Sequence, residues 1–432
     1  MSHHDSTSKA IHLVTENMTL ATDFLSQLET ETRDVEGVTR EAYGPGEDLA
    51  HELLRKQAAR LGFDSSTDIA HNTYIRLPGS NPEAPSLMTG SHLDSQPRAG
   101  NYDGAAGITA SLTALKSIKD AGITPPQDII LMACRAEEAS GWYKGHHRGH
   151  IGSRAALGRL HPDELETAIH VRDNCSLAQH FAERGMDPEA IPKESYLGDR
   201  RIKGFLELHI EQGPILTAHS IPLGIVTGIR GNIRCRSATC TGEYTHSGGV
   251  PHQYRRDAVT ATAEFIHRMD TKRRNLDNQG HDIVYATGRL YTNPELHAIT
   301  KVAGETSFSV DIRSTQKKVL DNMGHYMTQL AEEIGANHRV EFQLGEYSRT
   351  KPAIMNPQMR DTLHHGSARL GIYCTDIASG GGHDAVEFSL NGVPSAMIFI
   401  RNENGNHNPH ESIELDDLRL GTTLLTWTLI NA

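Results

Sequence analysis

Apolar residues recur at spacings of three and four in two early stretches, 8–30 (Leu20, Phe24, Leu25, Leu28) and 46–61 (Leu49, Leu53, Leu54, Ala58). That period predicts two helices. Gly44-Pro45-Gly46 between them is loop chemistry. The pattern then changes. Residues 72–77 are short and carry Tyr and Ile, 86–90 run into Ser91-His92, and 128–133 are continuously apolar. These predict strands, the last of the buried parallel type. Residues 104–119 return to helical spacing. Strands alternating with helices on this scale predict an α/β layer around a mixed, mostly parallel sheet.

After Pro214 the pattern reads strand 225–241, helix 258–273, strands 282–291 and 306–313, helix 317–334 and strand 339–347. A β-α-β-β-α-β order predicts a ferredoxin-like module. Buried-type strands resume at 371–377 and 395–400, so this α+β module is expected as an insert. The expected borders are 1–215 and 348–432 for the catalytic domain and 216–347 for the insert. A chain of 432 residues accommodates such a division, at roughly 150 residues per domain.

Charge narrows the partners. Lys plus Arg number 42 against 54 Asp plus Glu, a net charge of −12 with no basic block, which argues against nucleic acid and anionic membranes. No apolar run approaches the roughly 20 residues of a membrane span. The opening Met1-Ser2-His3-His4-Asp5 lacks the basic-then-apolar pattern of a leader. Five cysteines form no CxxC pair, so reduced thiols and a cytoplasmic location are expected. Histidine stands out, with 26 residues, and imidazole is the commonest metal ligand.

Four constellations could hold metal or move protons. Gly90-Ser91-His92-Leu93-Asp94 ends a strand, where Asp94 could orient the His92 ring; a lone His there also reads as a surface or capping residue. Asp103 follows within a run of small residues that opens a helix. Glu137-Glu138 follow the strand at 128–133 and suit a ligand beside a general base, though paired Glu residues also start solvated helices. Glu207, His209 and Glu211 share one face of a strand-phase segment that stops at Gly213-Pro214. His407 and His410 compete within a loop after 395–400. Histidines with carboxylates and no Cys favour zinc, with manganese, cobalt or nickel as the other candidates.

The order and wording of these segments resemble the di-metal amidohydrolases of the aminoacylase/carboxypeptidase type, and within them the hydantoinase/carbamoylase branch. The segments are 90–95, 103–107, 137–140 with Gly152-Ser153-Arg154, 207–214 and 244–258, echoed by 379–385 and 407–411. The resemblance implies two divalent ions per subunit. It implies His92 and His209 as terminal ligands, one on each ion, and Asp103 as the bridge with a cis peptide to Gly104. Glu138 and His407 are implied as further ligands, which sets His410 aside, and Glu137 as the general base. Thr245-His246-Ser247-Gly248 resembles the branch's Asn-His-Ala-Gly, which implies a homodimer whose inserted domains form the dimer and lid, with His246 polarising the scissile carbonyl in the partner's site. Gln212 and Arg313 match substrate-contacting positions, Arg313 as a carboxylate clamp.

Departures fall on the substrate side. Thr300 stands where the branch carries an Asn, Ala139-Ser140-Gly141-Trp142 replaces its Gly-Ser-Arg-Phe, and Gly249-Val250-Pro251 its Thr-Thr-Pro. The implied reaction is hydrolysis of the C–N bond of an N-carbamoyl-L-amino acid or related ureido acid by a metal-activated water. The alternative is an N-acyl-amino-acid hydrolase of the aminoacylase or dipeptidase type.

Overall fold

The computed structural model describes residues 3–144, 149–198 and 200–432; Met1 and Ser2, read above for a leader, lie outside them. The chain divides into two compact units: one runs up to residue 227 and resumes at 355, and the other is 228–354.

The first unit opens with α1 (His3–Glu31) and α2 (Pro45–Arg60). Pro45, Glu47 and Asp48 in the first turn of α2 suit a helix start, where a missing N–H costs nothing and acids meet the positive end of the dipole. A hairpin, β1 (Asp64–Thr67) and β2 (Thr73–Leu77), leads to β3 (Ser86–His92), α3 (Ala105–Asp120) and β4 (Ile129–Cys134). All of β4 is buried, as its unbroken apolar run requires. Then come β5 (Ile202–Ile210) and β6 (Leu223–Ile229).

The second unit holds β7 (Gly231–Thr241), α4 (Ala258–Asn278), β8 (Val284–Ala286), β9 (Leu290–Thr292), β10 (Glu305–Ser314), α5 (Lys317–His338), β11 (Glu341–Gln343) and β12 (Tyr347–Thr350). Its sheet is antiparallel: β8 and β9 pair with β10, β10 with β7, and β7 with β11 and β12. Residues of β10 alternate, so Phe308, Val310 and Ile312 enter a core with Phe265 and Met269 of α4 and Met323 and Met327 of α5. Asp311 and Arg313 take the opposite face.

The chain returns to the first unit with α6 (Pro357–Leu370), β13 (Cys374–Ser379), α7 (Asp384–Leu390), β14 (Ser395–Ile400) and α8 (Leu415–Asn431). The large sheet runs β1-β2-β4-β3-β5-β14-β6, with β13 also on β6. Helices α1, α3 and α8 pack together over its apolar core.

Two expectations are corrected. The sheet is mixed as expected but not mostly parallel: β4, β3, β5 and β14 form a parallel centre, while the hairpin strand β2 and the returning β6 join it antiparallel. The strand expected over 225–241 is two strands in two sheets. It breaks at Arg230, whose guanidinium forks onto Asp282 at 2.6–3.1 Å. The division of the chain therefore falls after β6 has paired in the large sheet, not at 215.

Among the described residues no helix is long and apolar enough to cross a membrane, and the five cysteines are unpaired. The parallel strands β3, β4, β5 and β14 end at His92, Cys134, Ile210 and Ile400. Loops leaving such ends surround a crevice, the usual place for a site in an α/β sheet.

Candidate metal centre

Each strand end contributes. His92 closes β3, His209 is the penultimate residue of β5, Glu137 and Glu138 follow β4, and His407 lies in the loop after β14. Asp103 directly precedes Gly104, the N-cap of α3. All but His407 are buried. The Asp103 carboxylate is the hub. His209 Nε2 lies 3.1 Å and His92 Nε2 3.5 Å from Oδ1, and the two imidazole nitrogens are 3.4 Å apart. His407 Nε2 lies 3.3 Å from Oδ2 and 2.6 Å from Glu138 Oε1. Two groups of donor atoms thus share one carboxylate: His92, Asp103 and His209, and Asp103, Glu138 and His407.

The proton inventory indicates what belongs between them. His92 Nδ1 faces the Asp94 carbonyl at 3.1 Å, and His209 Nδ1 faces the Ile210 carbonyl at 3.0 Å. A carbonyl only accepts, so each Nδ1 carries a proton, and each Nε2, a lone pair once the ring is neutral, is the nitrogen turned toward Asp103. Asp103 Oδ1 is itself buried without a hydrogen-bond partner. Acceptors converging on an acceptor in a buried space fit a cation. The same acceptors also draw protons onto the rings. Burial works against charge on both rings, yet Asp103 pushes His209 up to about 9, and Asp103 and Glu138 push His407 up to about 11. A divalent ion would displace those protons.

Supporting residues fix the donors. Asp94 receives the backbone N–H groups of Glu137 and Glu138 at 3.1 and 2.9 Å and stands 3.3 Å from His92 Nδ1, so it orients both sides of the cluster. Gln96 Nε2 donates to Glu138 Oε2 at 2.6 Å, leaving Oε1 toward His407. Glu411 accepts from the N–H groups of Tyr102 and Asp103 and holds the Asp103 loop. Gly104 has φ +67°, and a Cβ there would lie 2.5 Å from the His92 ring. Gly104→Ala is therefore expected to cost about 1–3 kcal/mol by overpacking and to expel metal; thermal unfolding and elemental analysis of the purified variant check this.

Several expectations need restating. Among the described residues every peptide is trans, so the Asp103–Gly104 bond is not cis; the turn is made by the positive φ of Gly104. His92 and His209, expected on separate ions, stand together at one Asp103 oxygen, because β3 and β5 are adjacent parallel strands. Gln212 is at the cluster, where its Nε2 donates to Asp103 Oδ2 at 2.8 Å. His410 is exposed and outside it. Glu207 and Glu211 have structural partners: Glu207 accepts from Ser91 Oγ and the Ala385 N–H, and Glu211 from the N–H groups of Ile215 and Leu216.

Glu137 is near the Asp103 cluster but outside both donor groups. Its Oε2 is 3.9 Å from His92 Nε2, and its Oε1 is 3.0 Å from His150 Nε2. Burial raises its pKa against the pull of His150 and His92. His150, whose Nδ1 is 3.5 Å from Glu387 Oε1, was not read from sequence. Its only signal is its place two residues before Gly152-Ser153-Arg154.

His246, Thr300 and Arg313 belong to the other unit. Thr245-His246 pairs with Lys301-Val302, and the Thr300 carbonyl accepts from the Ser247 N–H, so His246 and Thr300 are neighbours. Arg313 lies on β10 with its Nε and Nη2 on Asp311 at 2.8–3.2 Å.

Comparison with known proteins follows the same lines. The chain is similar to an N-carbamoyl-L-amino acid amidohydrolase of Geobacillus stearothermophilus, 29% identical over 394 residues that cover 91% of this chain and 93% of that one. It is equally similar, 29% over 398 residues, to an allantoate amidohydrolase of Escherichia coli (strain K12), covering 91% and 92%. A solved hydantoinase/carbamoylase family amidase from Burkholderia multivorans shares the fold, with a TM-score of 0.85 at 24% identity over 96% of this chain and 97% of that one. The profile of peptidase family M20/M25/M40 matches residues 88–431, a span that takes in every donor at Asp103, and the chain belongs to that family.

Proposed function

We propose that this chain is a two-metal amidohydrolase that cleaves the C–N bond of an N-carbamoyl-L-amino acid or related ureido acid. The observation that carries it is the Asp103 carboxylate, which offers one oxygen to His92 and His209 and the other to Glu138 and His407, with Glu137 unligated beside them. Imidazole and carboxylate donors without thiolate suit zinc, and also manganese, cobalt or nickel. When bound, such ions supply Lewis acidity and lower the pKa of water from 15.7 to about 7. Glu137, buried and raised, takes a proton from the attacking water and returns it to the leaving nitrogen. Asp94 and His150 hold the Glu137 backbone and carboxylate in place. The names of the relatives, matched over nine-tenths of the chain, support the carbamoyl and ureido class.

His246 is suited to hold the developing oxyanion. Its Nδ1 accepts the N–H groups of Gly248 and Gly249 at 3.1 and 2.9 Å, so the proton of the neutral ring sits on Nε2, and the residue is exposed. Its place in the other unit supports the homodimer implied by resemblance, in which His246 of the partner subunit completes the site.

Arg313 is the proposed grip for the substrate carboxylate, which would exchange one carboxylate for another at a guanidinium now held by Asp311. Arg313→Ala is expected to cost about 2–5 kcal/mol in kcat/KM on an acid substrate and far less on its neutral amide. Equal losses on both would remove the clamp. The function itself is tested by ammonia release. Metal-loaded enzyme should liberate ammonia from N-carbamoyl-L-amino acids and allantoate-like ureido acids, and hydrolyse N-acetyl amino acids poorly. Turnover of the acetyl series alone would make it an aminoacylase.

A further inference from the structure

A second set of metal-type donors lies in the first unit and shares no residue with the Asp103 cluster. His170 Nδ1 is 3.1 Å from Asp173 Oδ1, and His180 Nε2 is 3.1 Å from Asp173 Oδ2. These three side chains bring one donor atom each within 4.8 Å of one another. His170 is 1% exposed, and neither of its ring nitrogens has a hydrogen-bond partner of proper geometry. We propose that His170, Asp173 and His180 form a separate structural site for a divalent transition metal, zinc first.

The arrangement beyond the donors supports this. Glu41 Oε1 lies 2.6 Å from His170 Nε2, on the nitrogen that does not face Asp173. A carboxylate there favours the proton on Nε2 and leaves the Nδ1 lone pair for an ion, as behind many metal-bound imidazoles. The other Glu41 oxygen is 3.4 Å from Arg172 Nη1. His180 Nδ1 is 2.6 Å from the Tyr143 hydroxyl, and with that hydroxyl accepting from Nδ1–H, the Nε2 now 3.1 Å from Asp173 Oδ2 presents its lone pair to an ion. Other rings flank His170: Trp142 lies nearly parallel to it (15°, centroids 6.2 Å apart), and Tyr143 meets it edge-on with centroids 5.2 Å apart.

Tetrahedral zinc with bonds of about 2.0–2.1 Å sets its ligand atoms about 3.3 Å apart; each imidazole nitrogen lies 3.1 Å from an Asp173 oxygen, His170 from Oδ1 and His180 from Oδ2, and the fourth position falls to water. The imidazoles are buried, while the Asp173 side chain is 47% exposed and gives a cation a way in. The elements joined are short. Tyr143–Lys144 pairs with Ile169–His170, and His180 lies on the helix Leu177–Glu183. Such pieces have few ladder bonds of their own, so an ion would tie the bridge to the helix.

The competing reading is His170 held between Glu41 and Asp173 with no metal. Zinc counting separates the two. Wild type, Asp173→Asn and His180→Gln are stripped, reloaded with zinc, dialysed and analysed for zinc per chain, with circular dichroism to confirm folding. Each variant should hold one zinc fewer than wild type, while Asp173→Asn keeps kcat/KM within twofold. The difference is independent of how many ions the Asp103 cluster holds. Equal zinc in all three proteins overturns the site and leaves an ion-pair network. A lost zinc accompanied by a matching loss of activity overturns its separateness.

Discussion

Glu137→Gln is expected to lower kcat by about 10²–10⁴ while metal content and fold stay as in wild type. The exchange is nearly isosteric, and Glu137 belongs to neither donor group at Asp103. What it removes is the carboxylate that accepts a proton. The His150 contact at 3.0 Å persists with an amide oxygen as acceptor, so positioning is retained and the deficit falls on chemistry. Turnover and elemental analysis on one preparation check this. A variant with most of the wild-type turnover would remove Glu137 from the mechanism, and one that lost metal would make it a ligand.

The second large effect is a recovery. His246→Ala alone should be inactive, as Glu137→Gln nearly is. Mixed in equal amounts and allowed to exchange subunits, the two should regain about a quarter of wild-type activity, because half the dimers are mixed and each mixed dimer has one complete site. That site pairs an intact Glu137 with His246 of the partner subunit. Proven exchange without recovery would place His246 in its own chain's site or outside the mechanism. The tautomer set by Gly248 and Gly249 explains why alanine should be severe: it removes the N–H that Nε2 presents in a fixed direction.

Much of this centre is legible in the residues, for a definite reason. Strands with continuous apolar runs end in polar residues, and parallel strands gather those ends in one place. His92, Glu138 and His209 were accessible to that argument. Asp103 needed the small residues that crowd it, and Gly104 shows why they are small. Other features depend on contacts between distant segments. Whether His407 or His410 faces Asp103 is decided by the turn around residue 407, which has φ +56°, and the family resemblance alone favoured the former. Gln212 was expected at the substrate and lies on the Asp103 carboxylate, since its backbone N–H bond to Asn402 Oδ1 fixes its turn. His150 meets Glu137 because the backbone at 150–152 folds onto 135–137, a pairing no local pattern carries. The break at Arg230 depends on Asp282, 52 residues away. His170 and His180 looked like two among many histidines until the fold set Asp173 between them.

The central claim is that Asp103 bridges two ions. Crystals of the zinc-loaded protein, measured on both sides of the zinc absorption edge, test it most directly. The account predicts two anomalous peaks about 3.5–4 Å apart astride the Asp103 carboxylate, one beside His92 and His209 and the other beside Glu138 and His407. A single peak at Asp103, or none under loading that restores full activity, would contradict it.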